Sequence, residues 1–251
     1  MPWYWVGVQW RLGLALLVAI VIVGCYYTNR SRDLVAVGTE WWYAGSSAML
    51  IGMALLHFWL GSTVRSEVDL YSPLGTASFY ITQGGGNILV NHHHSDPVQR
   101  YAADIVVLGN SGKRARNIYA KELDEYFSFN YPLTAPCAGI VRAMKSTLAD
   151  QSIGRTDTQN LAGNFVLIGC GNYSVLLAHL KHDSSPVLMV GDHVNVGQLI
   201  GHIGNSGNTT EPHLHLQVVT HLGDADAAFP LSGVGVPFTI AARVTVRGLY
   251  D

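Results

Sequence analysis

Residues 190–218 read VGDHVNVGQLIGHIGNSGNTTEPHLHLQV, and the end of this stretch decides the fold class. In PHLHLQV apolar and polar residues alternate, so His213 and His215 share one face of a strand while Leu214 and Leu216 point the other way, into a core. Two imidazoles then stand side by side, which suits one metal ligand and one neighbour aimed at metal-bound water. An HxH pair alone is a moderate signal, since surface strands carry it by chance.

The same rhythm fills the chain from about residue 65. Short apolar runs predict strands at Ala77–Gln83, Ala103–Leu108, Gly139–Met144, Asn164–Ile168, Ser174–Leu180, Gln198–Ile203 and His213–Val219. Between them, GGGN at 84–87, GNSGK at 109–113, GCGN at 169–172 and GNSGN at 204–208 supply positive-φ residues for tight turns. No long stretch of 3.6-residue period appears, so residues 65–251 read as one all-β domain of antiparallel sheets. One polar stretch, KSTLADQSIGRTDTQNLAG at 145–163, is long for a hairpin and reads either as a groove wall or as a disordered insertion.

Ahead of that domain the composition changes. The whole chain of 251 residues is 49% hydrophobic and only 13% charged, against about a quarter charged in ordinary soluble domains. The excess lies in Leu12–Tyr27, preceded by Trp3, Trp5 and Trp10, and in Trp41–Gly61. About 20 apolar residues span a hydrocarbon core, so residues 1–64 are expected to be a membrane anchor with helices at about 10–28 and 41–61, a buried core helix being the other reading of each segment. Arg30 and Arg32 in the connecting loop favour a cytoplasmic loop, which turns the following domain outward, while Arg11 pulls the other way. Ile22-Val23-Gly24-Cys25 resembles a lipoprotein processing box, but cleavage there would tend to return the domain to the cytoplasm, and the match is read as chance. Net charge is -2, so nucleic acid is not an expected partner. The three cysteines form no CxxC pair; Cys137 and Cys170 are left open as a disulfide or as two buried thiols.

Eleven histidines in a chain so poor in charge are a compositional oddity. Asp104 sits between Ala102-Ala103 and Ile105-Val106, where a bare carboxylate is costly unless paired; a metal would satisfy it, and so would a salt bridge to Arg100 or a surface-facing turn of the strand. His92, His93 and His94 are consecutive, so only some can face one centre. His179, in LLAHL, taken alone reads as a core histidine bonded to backbone.

Together these pieces resemble the lysostaphin/LytM-type zinc peptidases, which cut peptide bonds in bacterial cell-wall peptidoglycan. The resemblance covers Tyr71 to Thr220 and rests on LTAPCAGIV (133–141), GNFVLIGCGNYSVLLAHL (163–180) and the Gly-Gln-x-Ile-Gly and Pro-His-Leu-His elements of residues 190–218. It implies a sandwich-like, duplicated-hybrid-like β fold with a groove between hairpins. It implies zinc held by His93, Asp104 and His215, with His179 and His213 catalytic. The usual first motif places its histidine four residues before the aspartate, and that position here is Arg100. The chain is similar instead to a subgroup with Asn-x-His followed by Gln-Arg-Tyr-Ala-x-Asp, which selects His93 and leaves His92 and His94 as alternatives. No HExxH motif is present, so the two histidines take the place of a glutamate base. Glu211, beside the signature, reads as a turn-surface carboxylate.

The expected function is therefore a metalloendopeptidase acting on peptidoglycan stems or cross-bridges. It would be held by membrane lipid through two spans, its domain facing the periplasm or cell exterior, within reach of cell-wall machinery proteins. The alternative is an inactive relative that binds and activates another wall hydrolase. A phosphocarrier domain of related β architecture is disfavoured, because its active pair needs no HxH-plus-Asp set.

Overall fold

The computed structural model describes residues 66–86, 88, 91–184, 188–220 and 233–241, with isolated positions at 19, 22–24, 45, 48–49 and 51–52. The two expected membrane spans fall outside the described residues apart from those isolated positions. Among the described residues no helix is long and apolar enough to cross a membrane.

Eleven strands are described: β1 Val68–Tyr71, β2 Phe79–Gln83, β3 Ala103–Val107, β4 Pro132–Thr134, β5 Gly139–Lys145, β6 Asn164–Cys170, β7 Tyr173–Leu180, β8 His193–Val194, β9 Leu199–His202, β10 Leu214–Thr220 and β11 Phe238–Ala241. Seven form one antiparallel sheet in the order β2-β3-β10-β7-β6-β5-β8. The seven strands expected from alternation are all present, with ends shifted by one or two residues. The short β1, β4, β8 and β11 were not anticipated. One pairing corrects the expectation of purely antiparallel sheets: β1 and β11 pair in parallel, Val68 against Phe238. Parallel partners need a long connection, and here they come from opposite ends of the domain.

One face of the sheet is the main core. Ile105 of β3, Val166 and Ile168 of β6, Val175 and Leu177 of β7, and Leu214 and Leu216 of β10 are packed there at zero exposure. Each such side chain contributes about 1.5–3 kcal/mol through burial. The β4–β9 pair closes over this face with Leu133 and Ile200, and β1 adds Leu70, giving sandwich-like packing. Cys137 and Cys170 form a disulfide, which settles their pairing and ties the approach to β5 to the end of β6. The β6–β7 hairpin turns on Gly171-Asn172, with Gly171 at φ 67°, the place where a two-residue II′ loop wants glycine.

The opposite face of the sheet builds the site. Register sets Asp104 of β3 and Ala178 of β7 directly against His215 of β10, so these three lie in one row across adjacent strands.

Candidate metal and catalytic site

Asp104 is the centre of a cleft of about 480 Å³. Its two carboxylate oxygens face three imidazoles. Oδ2 lies 3.0 Å from His93 Nε2, and Oδ1 lies 3.0 Å from His215 Nδ1 and 3.6 Å from His213 Nε2. No salt bridge to Arg100 is needed to account for the buried carboxylate, since histidines occupy both oxygens.

His93 reaches this centre through a 3-10 turn, His92–Ser95, capped by Asn91. The Asn91 side-chain oxygen accepts from the His93 backbone N–H, while its amide donates to the carbonyls of Gly85, Arg100 and Ala102. A buried asparagine, 1% exposed, thereby fastens the histidine run to the lead-in of β3. The turn explains how a histidine eleven residues before Asp104 arrives where a four-residue spacing is usual. His92 and His93 line the cleft and His94 does not. His92, His93 and Asp104 offer ligand atoms within 4.8 Å of one another, a group that could hold a metal ion.

His179 arrives by a different device. Along β7, Val175 and Leu177 face the main core, so regular alternation would send His179 there too. Register instead slips: Asn164 opposes Leu180 and Phe165 opposes Ala178, leaving His179 as an extra residue in a bulge. Its φ is 62°, the left-handed conformation that such a bulge ordinarily gives to glycine. The phase shift returns Leu180 to the core and turns His179 into the cleft.

The loop between β9 and β10 orients both remaining histidines. His179 Nδ1 donates to the Ser206 carbonyl at 2.9 Å, and His213 Nδ1 donates to the Glu211 carbonyl at 2.9 Å. A carbonyl only accepts, so each ring carries its neutral-state proton on Nδ1 and presents Nε2. The two rings lie 4.8 Å apart. Gly163, at φ 62°, lets Ser206 pack against backbone where a Cβ would collide. Glu211 is not a free surface carboxylate: it pairs with Arg114, which is 3% exposed and also lies over Tyr126.

Electrostatics separate the groups. Burial, with His213 and His215 adding to it, holds the His179 imidazole well below its ordinary pKa. Burial opposes charge at His213 as well, but the Asp104 carboxylate outweighs it and raises that pKa. Asp104 is itself held well below the usual carboxylate range: burial works against this, and His213 and the hydrogen bonds from His213, His215 and His93 overcome it. Burial and His93 lower His92.

The donor set fits a zinc ion. Carboxylate oxygens and the bare nitrogens of neutral imidazoles are both lone-pair bearers, so 3.0 Å contacts between them call for a proton or a cation shared by the pair. Two imidazoles and one carboxylate are a catalytic zinc set with one open position.

The structure thus brings His93, Asp104, His215, His179 and His213 into one cleft, with Gln217, Thr209 and Asn208 beside them. The polar stretch 145–163 forms part of its wall through Thr156, Leu161 and Ala162. Sequence reading missed the Asn91 hub, the Ser206 and Glu211 carbonyls and Gln217. Only Asn91 had a signal, the Asn-x-His pattern.

Residues 126–227 match the model of Peptidase family M23. Peptidoglycan DD-endopeptidase ShyA of Vibrio cholerae serotype O1 is 36% identical over 73 residues, which is 29% of this chain and 16% of that protein. The chain therefore spans about a sixth of the length of the curated relative it matches. Among solved structures, lysostaphin from Staphylococcus simulans overlaps 64% of this chain and 50% of its own at 19% identity and TM-score 0.34. A zinc-containing peptidase from Vibrio cholerae overlaps 62% of this chain and 36% of its own at 19% identity and TM-score 0.31.

Proposed function

We propose, from the match of residues 126–227 to the model of Peptidase family M23, a membrane-anchored zinc metalloendopeptidase that hydrolyses peptide bonds of peptidoglycan stems or cross-bridges. The observation that carries the reading is the convergence of three imidazoles on the buried Asp104, with a fourth, His179, beside them.

His93 Nε2, an Asp104 oxygen and His215 Nδ1 would hold the zinc, and His92 remains within ligand distance of the same group. When bound there, zinc supplies a Lewis acid that polarises a scissile carbonyl and acidifies a water toward pKa ~7. His179 then acts as the proton acceptor. Its Nδ1 is committed to the Ser206 carbonyl, its Nε2 lone pair is free, and burial keeps it neutral. His213, fixed by its Nδ1 proton on the Glu211 carbonyl with Nε2 toward Asp104, would meet the developing negative charge on the substrate oxygen as the imidazolium, donating from Nε2. The raised pKa of His213 stems from Asp104 and belongs to the chain without a dication on that carboxylate.

Two observations support placing the domain outside the cytoplasm. The Cys137–Cys170 disulfide suits an oxidising compartment, and Arg30 and Arg32 suit a cytoplasmic loop between the two spans at about 10–28 and 41–61.

The test is mass spectrometry of peptidoglycan fragments incubated with the full-length chain, with and without a chelator. Chelator-sensitive peptide products are expected and would identify the bond. Intact fragments with no zinc bound would overturn the reading in favour of an inactive relative that regulates another wall hydrolase.

A further inference from the structure

Gln217 lies two residues after His215 on β10 and is 1% exposed. Its amide nitrogen donates to the Val98 carbonyl at 2.9 Å, and its amide oxygen lies 3.2 Å from His215 Nε2. The first contact fixes the second. Flipping the amide would set its oxygen against the Val98 carbonyl, leaving two acceptors face to face in a buried place. With the oxygen toward the ring, His215 must carry hydrogen on Nε2. The lone pair then falls on Nδ1, the nitrogen that faces Asp104 at 3.0 Å.

We infer that Gln217 is a positioning residue that commits His215 to metal binding through Nδ1. It does so by holding the Nε2 proton and the ring plane, the arrangement that raises the basicity of a ligating imidazole. The same amide does a second thing. Val98 lies just beyond the 3-10 turn that carries His93, in a segment turned by Asp96, whose Oδ1 accepts from the Val98 N–H at 2.8 Å. Gln217 therefore links the strand bearing His215 to the segment that follows the His93 turn, adding to the hold that Asn91 has on that turn.

The inference rests on the zinc peptidase reading, and the experiment separates the two. Zinc affinity of the full-length chain is measured by competition with a chromophoric chelator for the wild type, Gln217→Met and Gln217→Glu. Side-chain ¹⁵N spectra of the zinc-loaded wild type, with His215 assigned by through-bond correlation of its ring to its own backbone, report which ring nitrogen keeps its proton. The expected result is a proton on Nε2, zinc affinity about 10–100-fold weaker in Gln217→Met, and partial recovery in Gln217→Glu, which restores an acceptor toward His215 but loses the donor to the Val98 carbonyl. Metal on Nε2, or a folded Gln217→Met that binds zinc as tightly as the wild type, overturns the role of Gln217 while leaving the peptidase reading intact. A wild type that takes up no zinc sinks both. Should Gln217→Met fail to fold, the wild-type spectrum decides by itself.

Discussion

Replacing Asn91 with alanine tests whether the first metal-binding side chain is held by one buried amide. The substitution deletes the acceptor for the His93 N–H and the donors to Gly85, Arg100 and Ala102. One amide has two N–H groups, so about three full hydrogen bonds are lost. At about 0.5–1.5 kcal/mol net for each, stability should fall by about 2–4 kcal/mol. Asn164 supplies a control: it is fully buried and also makes three bonds, accepting from the Leu148 N–H and donating to the Leu148 and Leu180 carbonyls. Asn164→Ala should cost a similar amount. The two variants part company in zinc affinity. Asn91→Ala frees the turn that carries His93, whereas Asn164→Ala leaves that turn alone. Chemical denaturation followed by circular dichroism gives the stability loss, and chelator competition gives the affinity. Equal affinity losses in both variants, or none in Asn91→Ala, would refute the view that Asn91 acts on the site through His93.

The histidines should divide by role. His215→Ala should lose zinc, while His213→Ala should retain it and lose turnover by about 10²–10⁴-fold; zinc loss in both would sink the division. The zinc-free chain should lose stability in acid well before its carboxylates titrate. His179 is held below its ordinary pKa by burial, so as pH falls below about 6.5 the unfolded chain takes up a proton that the native one refuses, costing about 1.4 kcal/mol per pH unit. The raised His213 works in the other window, its stabilisation present below about 6.5 and lost as pH rises through its folded pKa. Asparagine tolerates the left-handed backbone, so His179→Asn should reduce the loss just below pH 6.5 in denaturation curves to what the lowered His92 contributes; an unchanged slope would assign it elsewhere. Reducing Cys137–Cys170, whose separation is 33 residues, should cost about 3–4 kcal/mol by the chain-entropy estimate. A urea midpoint indifferent to reductant would contradict that.

Much of this could be read from the chain because the signals were local. The alternation of PHLHLQV gave β10 and its core face, and the apolar flanks of Asp104 gave β3 and the need for a partner. Less legible was whatever depends on register. That Asp104 and His215 stand directly opposite one another is a property of two strands 111 residues apart. His179 is the sharper case, since its apolar neighbours and regular spacing indicate a core residue, and only a one-residue slip against β6 turns it round. The choice among His92, His93 and His94 depends on a 3-10 turn whose only local sign was Asn91. The parallel β1–β11 pair joins segments with no shared local signature.

The polar stretch 145–163 shows why a sequence without periodicity can still be ordered and functional. The loop that aims His179 and His213 is irregular backbone, and its polar groups need partners. That stretch provides them. Asp150 Oδ1 accepts from the Asn205 N–H, the Gln151 N–H donates to the Asn205 carbonyl and the Asn205 amide donates to the Gln151 carbonyl. Further along, the Gly154 N–H donates to Thr210, the Asp157 N–H to Gly207 and the Asn208 N–H to Leu161. Two segments that lack secondary structure thus satisfy each other, and their mutual bonding holds the Ser206 carbonyl where His179 needs it. The left-handed backbone of His179 is maintained by the same contacts, with its N–H on Ala162 and its carbonyl on Gly204. Strain at the one residue whose orientation alternation cannot supply is therefore held by the part of the chain that reads as loop.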